Sequence, residues 1–163
     1  MISDRGYTLS HAADTLGPML ALLALIASAL FTGAAFYVSF AEHPARMKLD
    51  DKSALAQWKP SYARGTIMQA SLALIGGLAG IAAWVKWRSV WPWLTGGVLL
   101  LAIIAYTFAV IWQTNNKLKA IPIDQAGEES RALMIKWGQL HIGRVVLGAL
   151  ATAFFVYGNW PNN

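Results

Sequence analysis

From Leu16 to Phe40 the chain runs for 25 residues without a formal charge. Three more apolar runs follow: Ile67 to Val85, Val90 or Trp91 to Ile111, and Leu140 to Tyr157. At about 1.5 Å of rise per residue, the first can cross a hydrocarbon core of about 30 Å, and the others, the fourth being the shortest, fall within the range of about 17–25 residues that a span takes. The runs are apolar on every side and not along one stripe, which argues against helices lying on a membrane surface. Inside lipid the backbone must satisfy its own hydrogen bonds, so the runs predict helices. The fold expected is all-α: a polytopic membrane four-helix bundle, one transmembrane domain over residues 1–163, with two longer connections on one side. The spans predicted are 16–40, 67–85, 91–111 and 140–157. Pro18 falls near the start of the first, where a missing N–H costs least. Leu16 to Leu25 followed by Ala27-Ser28-Ala29 resembles a cleavable signal core. The segment before it carries Asp4, Arg5 and Asp14, and the apolar run continues past it, so a retained span is expected.

The connections have helical patterning of their own. "DKSALAQWKPSYARGTIMQ" predicts a short helix broken near Pro60, with Ser61 capping the helix into the second span. "IDQAGEESRALMIKWGQLH" predicts another, with Asp124 near its start, Glu128 pairing with Arg131 and a bend at Gly138. "KWRSVW" is a short turn between the second and third spans.

Composition strengthens the membrane assignment. Apolar residues make up 56% of the chain and charged residues 13%, about half the share of a soluble domain. No cysteine is present, which excludes disulfides, thiolate catalysis and cysteine metal sites. The net charge of +5 comes without a nucleic-acid motif or a long basic surface, so no nucleic-acid partner is expected. Arg5, Lys86 and Arg88 lie on the side of the two termini. Arg46, Lys48, Lys52, Lys59, Arg64, Lys117, Lys119, Arg131, Lys136 and Arg144 lie in or beside the long connections. The positive-inside rule then puts the connections in the cytoplasm and both termini outside, in a cell inner or plasma membrane. Trp84, Trp87, Trp91 and Trp93 at one end, Trp112 and Trp137 at the other, and Trp160 after the fourth span read as interfacial belts. Gly76 and Gly80, with Ala73 and Gly77 beside them, form a small-residue face for close packing in lipid, within the bundle or in a homo-oligomer.

Span order brings polar residues to one end. The end of span one, start of span two, end of span three and start of span four share a side. There lie Glu42, His43 and Arg46, then Tyr62, Arg64 and Gln69, then Thr107 and Asn115, then Trp137, His141 and Arg144. Thr107, Ile111 and Asn115 share a helical stripe, as do Trp137, His141, Arg144 and Gly148. Pro44 predicts a change of direction beside His43. Singly, each has a plain explanation: Glu42–Arg46 as a helix-end ion pair, Arg64 and Arg144 as anchors to lipid phosphate, the histidines as interfacial hydrogen-bonding groups. Together they point to a site, because ionisable groups entering a membrane helix are costly unless paired or functional. Histidine moves protons near neutral pH, and arginine stabilises an anion or a developing oxyanion. His43, His141 and Glu42 are also the donor types of a two-histidine, one-carboxylate iron site, although no HExxH spacing fixes them on one helix.

The fragments "GAAFYVSFAEHPARM", "WKPSYARGTIMQ", "TFAVIWQTNNKLKAI" and "WGQLHIGRVVLGAL", in this order, resemble the anthrone-oxygenase-like family of small integral membrane proteins. The resemblance runs from about Leu16 to Phe155. It implies a four-helix membrane domain and, as in characterised fungal members, oxidation of an anthrone to an anthraquinone. By motif it transfers His43, Arg46, Asn115, His141 and Arg144. An anthrone methylene is acidified by its rings and carbonyl, and its anion can pass an electron directly to oxygen, so the chemistry requires no metal or flavin. On that basis His141 is the expected base and His43 the alternative. Arg144 and Arg46 would hold the carbonyl oxygen and Asn115 would orient it. Glu42, Tyr62, Arg64, Gln69, Thr107 and Trp137 complete the substrate-binding candidates. The partners expected are membrane lipid, an apolar aromatic ligand and molecular oxygen. Metal binding through His43 and His141 is the alternative to a cofactor-free site. A membrane interaction module or a small-molecule binding protein is the alternative to an enzyme.

Overall fold

A computed structural model describes the backbone over residues 4–87 and 91–160 and the side chains over 15–86 and 91–160. The turn predicted in "KWRSVW", at 88–90, and the side chain of Arg5 lie outside the described residues. Helix α1 (Asp4–Tyr37) runs into a wide π turn (Val38–Glu42) and a short α2 (His43–Arg46). After a tight turn, α3 covers Asp51–Trp87. The third span is α4 (Trp91–Tyr106), a second π turn (Thr107–Ile111) and α5 (Trp112–Ala120). A 3-10 turn at Ile123–Gln125 precedes α6 (Glu128–Gly158). Four stretches are long and apolar enough to cross a membrane: Thr15–Arg46, Asp51–Lys86, Trp91–Ala120 and Glu128–Gly158. The protein is an integral membrane four-helix bundle. Helix α3 packs between α1 and α4, and α6 closes the ring between α4 and α1.

Small residues let the helices approach. The inner face of α1 carries Ala21, Ala24, Ala27, Ser28, Phe31 and Ala35, all buried. Ala27 and Ser28, part of the signal-like triplet, are thus built into the core. Leu22, Ile26 and Leu30 point outward on the same helix, where lipid replaces water as solvent. A Cβ on Gly80 would sit 2.7 Å from the Phe155 ring, and one on Gly76 would sit 2.8 Å from Leu100. The face expected of Gly76 and Gly80 is therefore filled by α1, α4 and α6 of the same chain. Thr32 and Thr152 hydroxyls meet at 3.0 Å between α1 and α6. Thr152 donates to the Gly148 carbonyl, which leaves Thr32 as the donor to Thr152.

The connections differ from expectation. Helix α3 continues through Pro60 where a break was predicted. Proline inside a helix costs about 3 kcal/mol. Against that, Leu55 and Trp58 are fully buried in a second core with Ala54, Ile111, Leu118, Met134 and Trp137. Burial of one Leu-sized side chain contributes about 1.5–3 kcal/mol, so two such residues outweigh the proline. Lys59 also ties this part of α3 to the Lys119 and Ile121 carbonyls, at 3.0 and 2.6 Å. Ser61 therefore caps nothing and lies mid-helix. Helix α6 shows no break at Gly138. Arg131 pairs with Asp51 at 2.5 Å, not with Glu128, and reaches the Met47 and Leu49 carbonyls. It clamps the α2–α3 turn onto α6. Asp50 opens α3 by accepting the Ser53 N–H at 3.0 Å, and hydrogen bonding from the Ser53 hydroxyl first and its N–H second holds the Asp50 carboxyl below the usual carboxylate range.

Of the tryptophans assigned to interfacial belts, Trp91, Trp112 and Trp160 are exposed. Trp93 and Trp137 are buried instead, because both face the bundle axis. Trp93 stacks on Phe155 with ring centres 5.4 Å apart, and Trp137 meets Trp58 edge-on at 6.0 Å. The side chain of Trp87 lies outside the described residues.

Candidate functional site

Between the two cores lies a polar layer. The main core is built from Phe31, Ala35, Ala73, Leu100, Ile103 and Phe155 among others, and the second from Leu55, Trp58, Leu118, Met134 and Trp137. A cavity of about 410 Å³, its mouth included, opens between them and is lined by Arg46, Tyr62, Gln69, Asn115, Trp137, His141 and Arg144, with Val38, Trp58, Ser61, Gly65, Thr66 and Ile111. Seven of the sequence candidates thus share one wall.

Each helix delivers its residues through a local feature. Both π turns flank the cavity: Val38 comes from the first and Ile111 from the second. In the first, the His43 N–H reaches back to the Val38 carbonyl. Pro44 has no N–H to offer the preceding turn, and the extra residue in the wide turn takes up the mismatch. The inner face then runs Ala35, Ser39, His43, Arg46. On α6, Trp137, His141, Arg144 and Gly148 are all buried, as their spacing requires.

His141 is 3% exposed. Its Nδ1 lies 2.9 Å from the Ser39 hydroxyl, and its ring packs 4.8 Å from that of Trp137. Trp137 Nε1 donates to Asn115 Oδ1 at 3.0 Å, so Asn115 fixes the indole that backs the histidine.

The two arginines differ in kind. Arg46 is bound by Glu42, Gln57 and Ser61. Glu42 in turn accepts from Ser61 and from Gln57 Nε2. That charge is compensated where it stands. Arg144 has no ion-pair partner among the described residues. Its guanidinium carbon lies 5.5 Å over the Phe31 ring, and its buried Nε has no hydrogen-bond partner. Gln69 Oε1 is likewise buried and without a partner.

Four sequence candidates stand elsewhere. His43 is not among the lining residues; it packs 5.3 Å from Trp137 and against Gly138, where a Cβ would meet its ring. Glu42 stands behind Arg46. Thr107 donates to the Ile103 carbonyl at 2.8 Å and lines a neighbouring cavity. Arg64 is exposed, because the inner face of α3 runs through Trp58, Ser61, Tyr62, Gly65 and Gln69 and leaves position 64 on the far side. Ser39, Gln57, Ser61 and Thr66 belong to the site or its support, and the sequence marks none of them as a site residue, Ser61 being expected only as a helix cap. The signal for Gln57 and Ser61 was a four-residue spacing, visible only if α3 is read as unbroken at Pro60. Among the described residues, no three His, Cys, Asp or Glu side chains come together as a metal-binding set. Glu42, the carboxylate such a set would need, is taken up by Arg46, Ser61 and Gln57. These residues do not fit an iron site.

The anthrone oxygenase family profile matches residues 58–154. That stretch takes in Tyr62, Gln69, Asn115, Trp137, His141 and Arg144 and ends short of Glu42, His43 and Arg46. An anthrone oxygenase of Claviceps purpurea (strain 20.1) is 30% identical over 139 residues, covering 77% of this chain and 80% of that protein. No solved structure matches. The chain belongs to the anthrone oxygenase family.

Proposed function

We propose that the protein is a membrane oxygenase that oxidises an anthrone-like or other lipid-soluble aromatic substrate with molecular oxygen. The observation that carries this is the pairing on α6: His141 and Arg144, one turn apart and both buried, line one cavity, and Arg144 has no counter-charge among the described residues. A buried, unpaired guanidinium is costly, and an oxygen atom that gains negative charge during reaction would offset that cost.

With its proton on Nδ1, donated to the Ser39 hydroxyl, His141 presents a lone pair at Nε2. That nitrogen takes one methylene proton, and the electrons left behind delocalise onto the ketone oxygen beside Arg144. The anion passes an electron to oxygen, the two radicals combine as a peroxide anion at the former methylene carbon, and His141 returns the proton to give the hydroperoxide. Loss of water leaves the second carbonyl. One oxygen atom ends in the quinone and one in water; the carbon gives up four electrons and oxygen accepts four. Arg46 and Asn115 build the wall, with Glu42 holding Arg46 from behind, and Tyr62 and Gln69 face the substrate. His43 supports Trp137 from behind.

The test is oxygen uptake by detergent-purified protein given a simple anthrone, with the quinone identified by mass and absorbance. Wild type should turn over saturably above a protein-free control. His141→Ala should lose about 10²-fold or more while keeping its helix content. Equal uptake by the variant would remove His141 from the role. Saturable binding with no uptake by well-folded wild type would make the protein a carrier.

The charge distribution supports a cytoplasmic position for the α2–α3 and α5–α6 ends, with both termini outside. The chain has no cysteine, so single cysteines at Lys119 and Asn159 can be tested in intact cells. An impermeant thiol reagent should label the second and not the first; the reverse pattern would invert the topology.

A further inference from the structure

A second cavity, about 470 Å³ with its mouth included, adjoins the first. Its walls come from α3 (Ala70, Ala73) and from the third span (Ile103, Ile104, Thr107, Phe108), with Arg144 of α6 also contributing. Tyr62, Thr66, Gln69 and Arg144 line both cavities. The partition between them therefore holds two buried polar atoms that lack a hydrogen-bond partner, Gln69 Oε1 and Arg144 Nε; these residues are 3% and 8% exposed. Away from that partition the chamber is nearly all apolar. Ala70 and Phe108, at its rim, are exposed on the outer surface of the bundle. Ala70, Ala73, Ile103 and Ile104 fall inside the second and third apolar runs, at hydrocarbon depth.

We propose that this chamber is a lateral passage and seat: the aromatic body of the ligand enters from the bilayer between α3 and α4 and lodges there, with its polar edge at Gln69 and Arg144. Lipid-soluble molecules concentrate in the hydrocarbon, so a side opening collects them without a crossing of water. Small side chains at Ala70 and Ala73 keep the gap open. Apolar walls beside a polar partition orient the ligand, polar edge inward. The proposal rests on the functional reading above in one respect, that the ligand is a lipid-soluble aromatic.

Benzophenone, a lipid-soluble diaryl ketone that inserts into nearby C–H bonds on irradiation, tests this without turnover. Full-length protein in phosphatidylcholine vesicles would be irradiated with it and the adducts mapped by mass spectrometry. Adducts should concentrate around Ala73, Ile103 and Ile104. Ala70→Phe, which puts a ring across the opening, should reduce them on the order of tenfold, equivalent to about 1.4 kcal/mol of affinity. Thr107→Phe, from the facing helix, should do the same and carries the test should Ala70→Phe fail to fold. Val146→Phe, on the lipid face of α6, should change nothing. Adducts spread evenly over lipid-facing positions such as Leu22 and Val146, or indifferent to both plugs, would overturn the proposal. Chamber adducts in a protein that takes up no oxygen with an anthrone would sink the oxygenase reading alone. Anthrone turnover without chamber adducts would sink this one alone.

Discussion

Arg46 and Arg144 are the same residue type at similar depth, and their surroundings give them opposite expected behaviour. Arg46 compensates Glu42, which keeps 18% of its side chain exposed. Arg46→Met should strand that carboxylate and cost about 3 kcal/mol, the low end for breaking a buried pair because Glu42 is partly solvated. Arg144→Met removes a buried charge that has no counter-charge among the described residues. It should leave the thermal midpoint unchanged or raised and reduce kcat for the anthrone by about 10²–10³-fold. Thermal unfolding in detergent and oxygen uptake, run on both variants, separate the two outcomes; a large loss of stability in Arg144→Met would show that its charge is compensated within the fold. Ser39 is a positioning residue for His141. Ser39→Ala should lower kcat with little change in KM, and Ser39→Thr, which keeps the hydroxyl, should restore most of it.

Among elements, the α2–α6 contact decides how close the first span comes to the site. Gly138 has no side chain, and the His43 ring occupies the space a Cβ would need. Gly138→Ala should cost about 1–3 kcal/mol through overpacking. Removing the ring with His43→Ala in the same protein should recover most of that loss, because the two residues share one volume. A double-mutant cycle by thermal unfolding measures the coupling; additive losses would mean the ring does not rest on Gly138. The two π turns are the other feature at this scale. Each inserts a residue where a span passes the cavity, which shifts the inner face so that Ser39 and His43 follow Ala35.

For the whole molecule, the small-residue face on α3 serves internal packing. A Cβ on Gly80 would meet the Phe155 ring at 2.7 Å and the Trp93 carbonyl oxygen at 3.1 Å. Gly80→Leu should therefore lower the thermal midpoint, with a cost of about 1–3 kcal/mol or more, before it alters the mass of the particle in detergent. Light scattering beside thermal unfolding checks this. A variant of unchanged stability but lower mass would show that the face joins two copies. The bundle has two cores, one at membrane depth and one around Trp58; the first cavity lies in the polar layer between them, and the second reaches from that layer into the apolar depth of the bundle.

The sequence by itself determined the four spans, the end at which polar residues collect, and the Trp137, His141, Arg144, Gly148 face of α6. Each follows from local periodicity or from run length against bilayer thickness. It did not determine that α3 continues through Pro60, because the compensating burial of Leu55 and Trp58 depends on α5 and α6, about sixty to eighty residues away. It did not separate Arg46 from Arg144, since the groups that bind Arg46 include Gln57 and Ser61 on another helix. Trp137 carried the composition of an interfacial residue and became a buried wall because its helix turns that face to the axis. The chamber between α3 and α4 has no motif at all. It exists because small residues on one helix face larger ones on another, a match that only the packed bundle brings about.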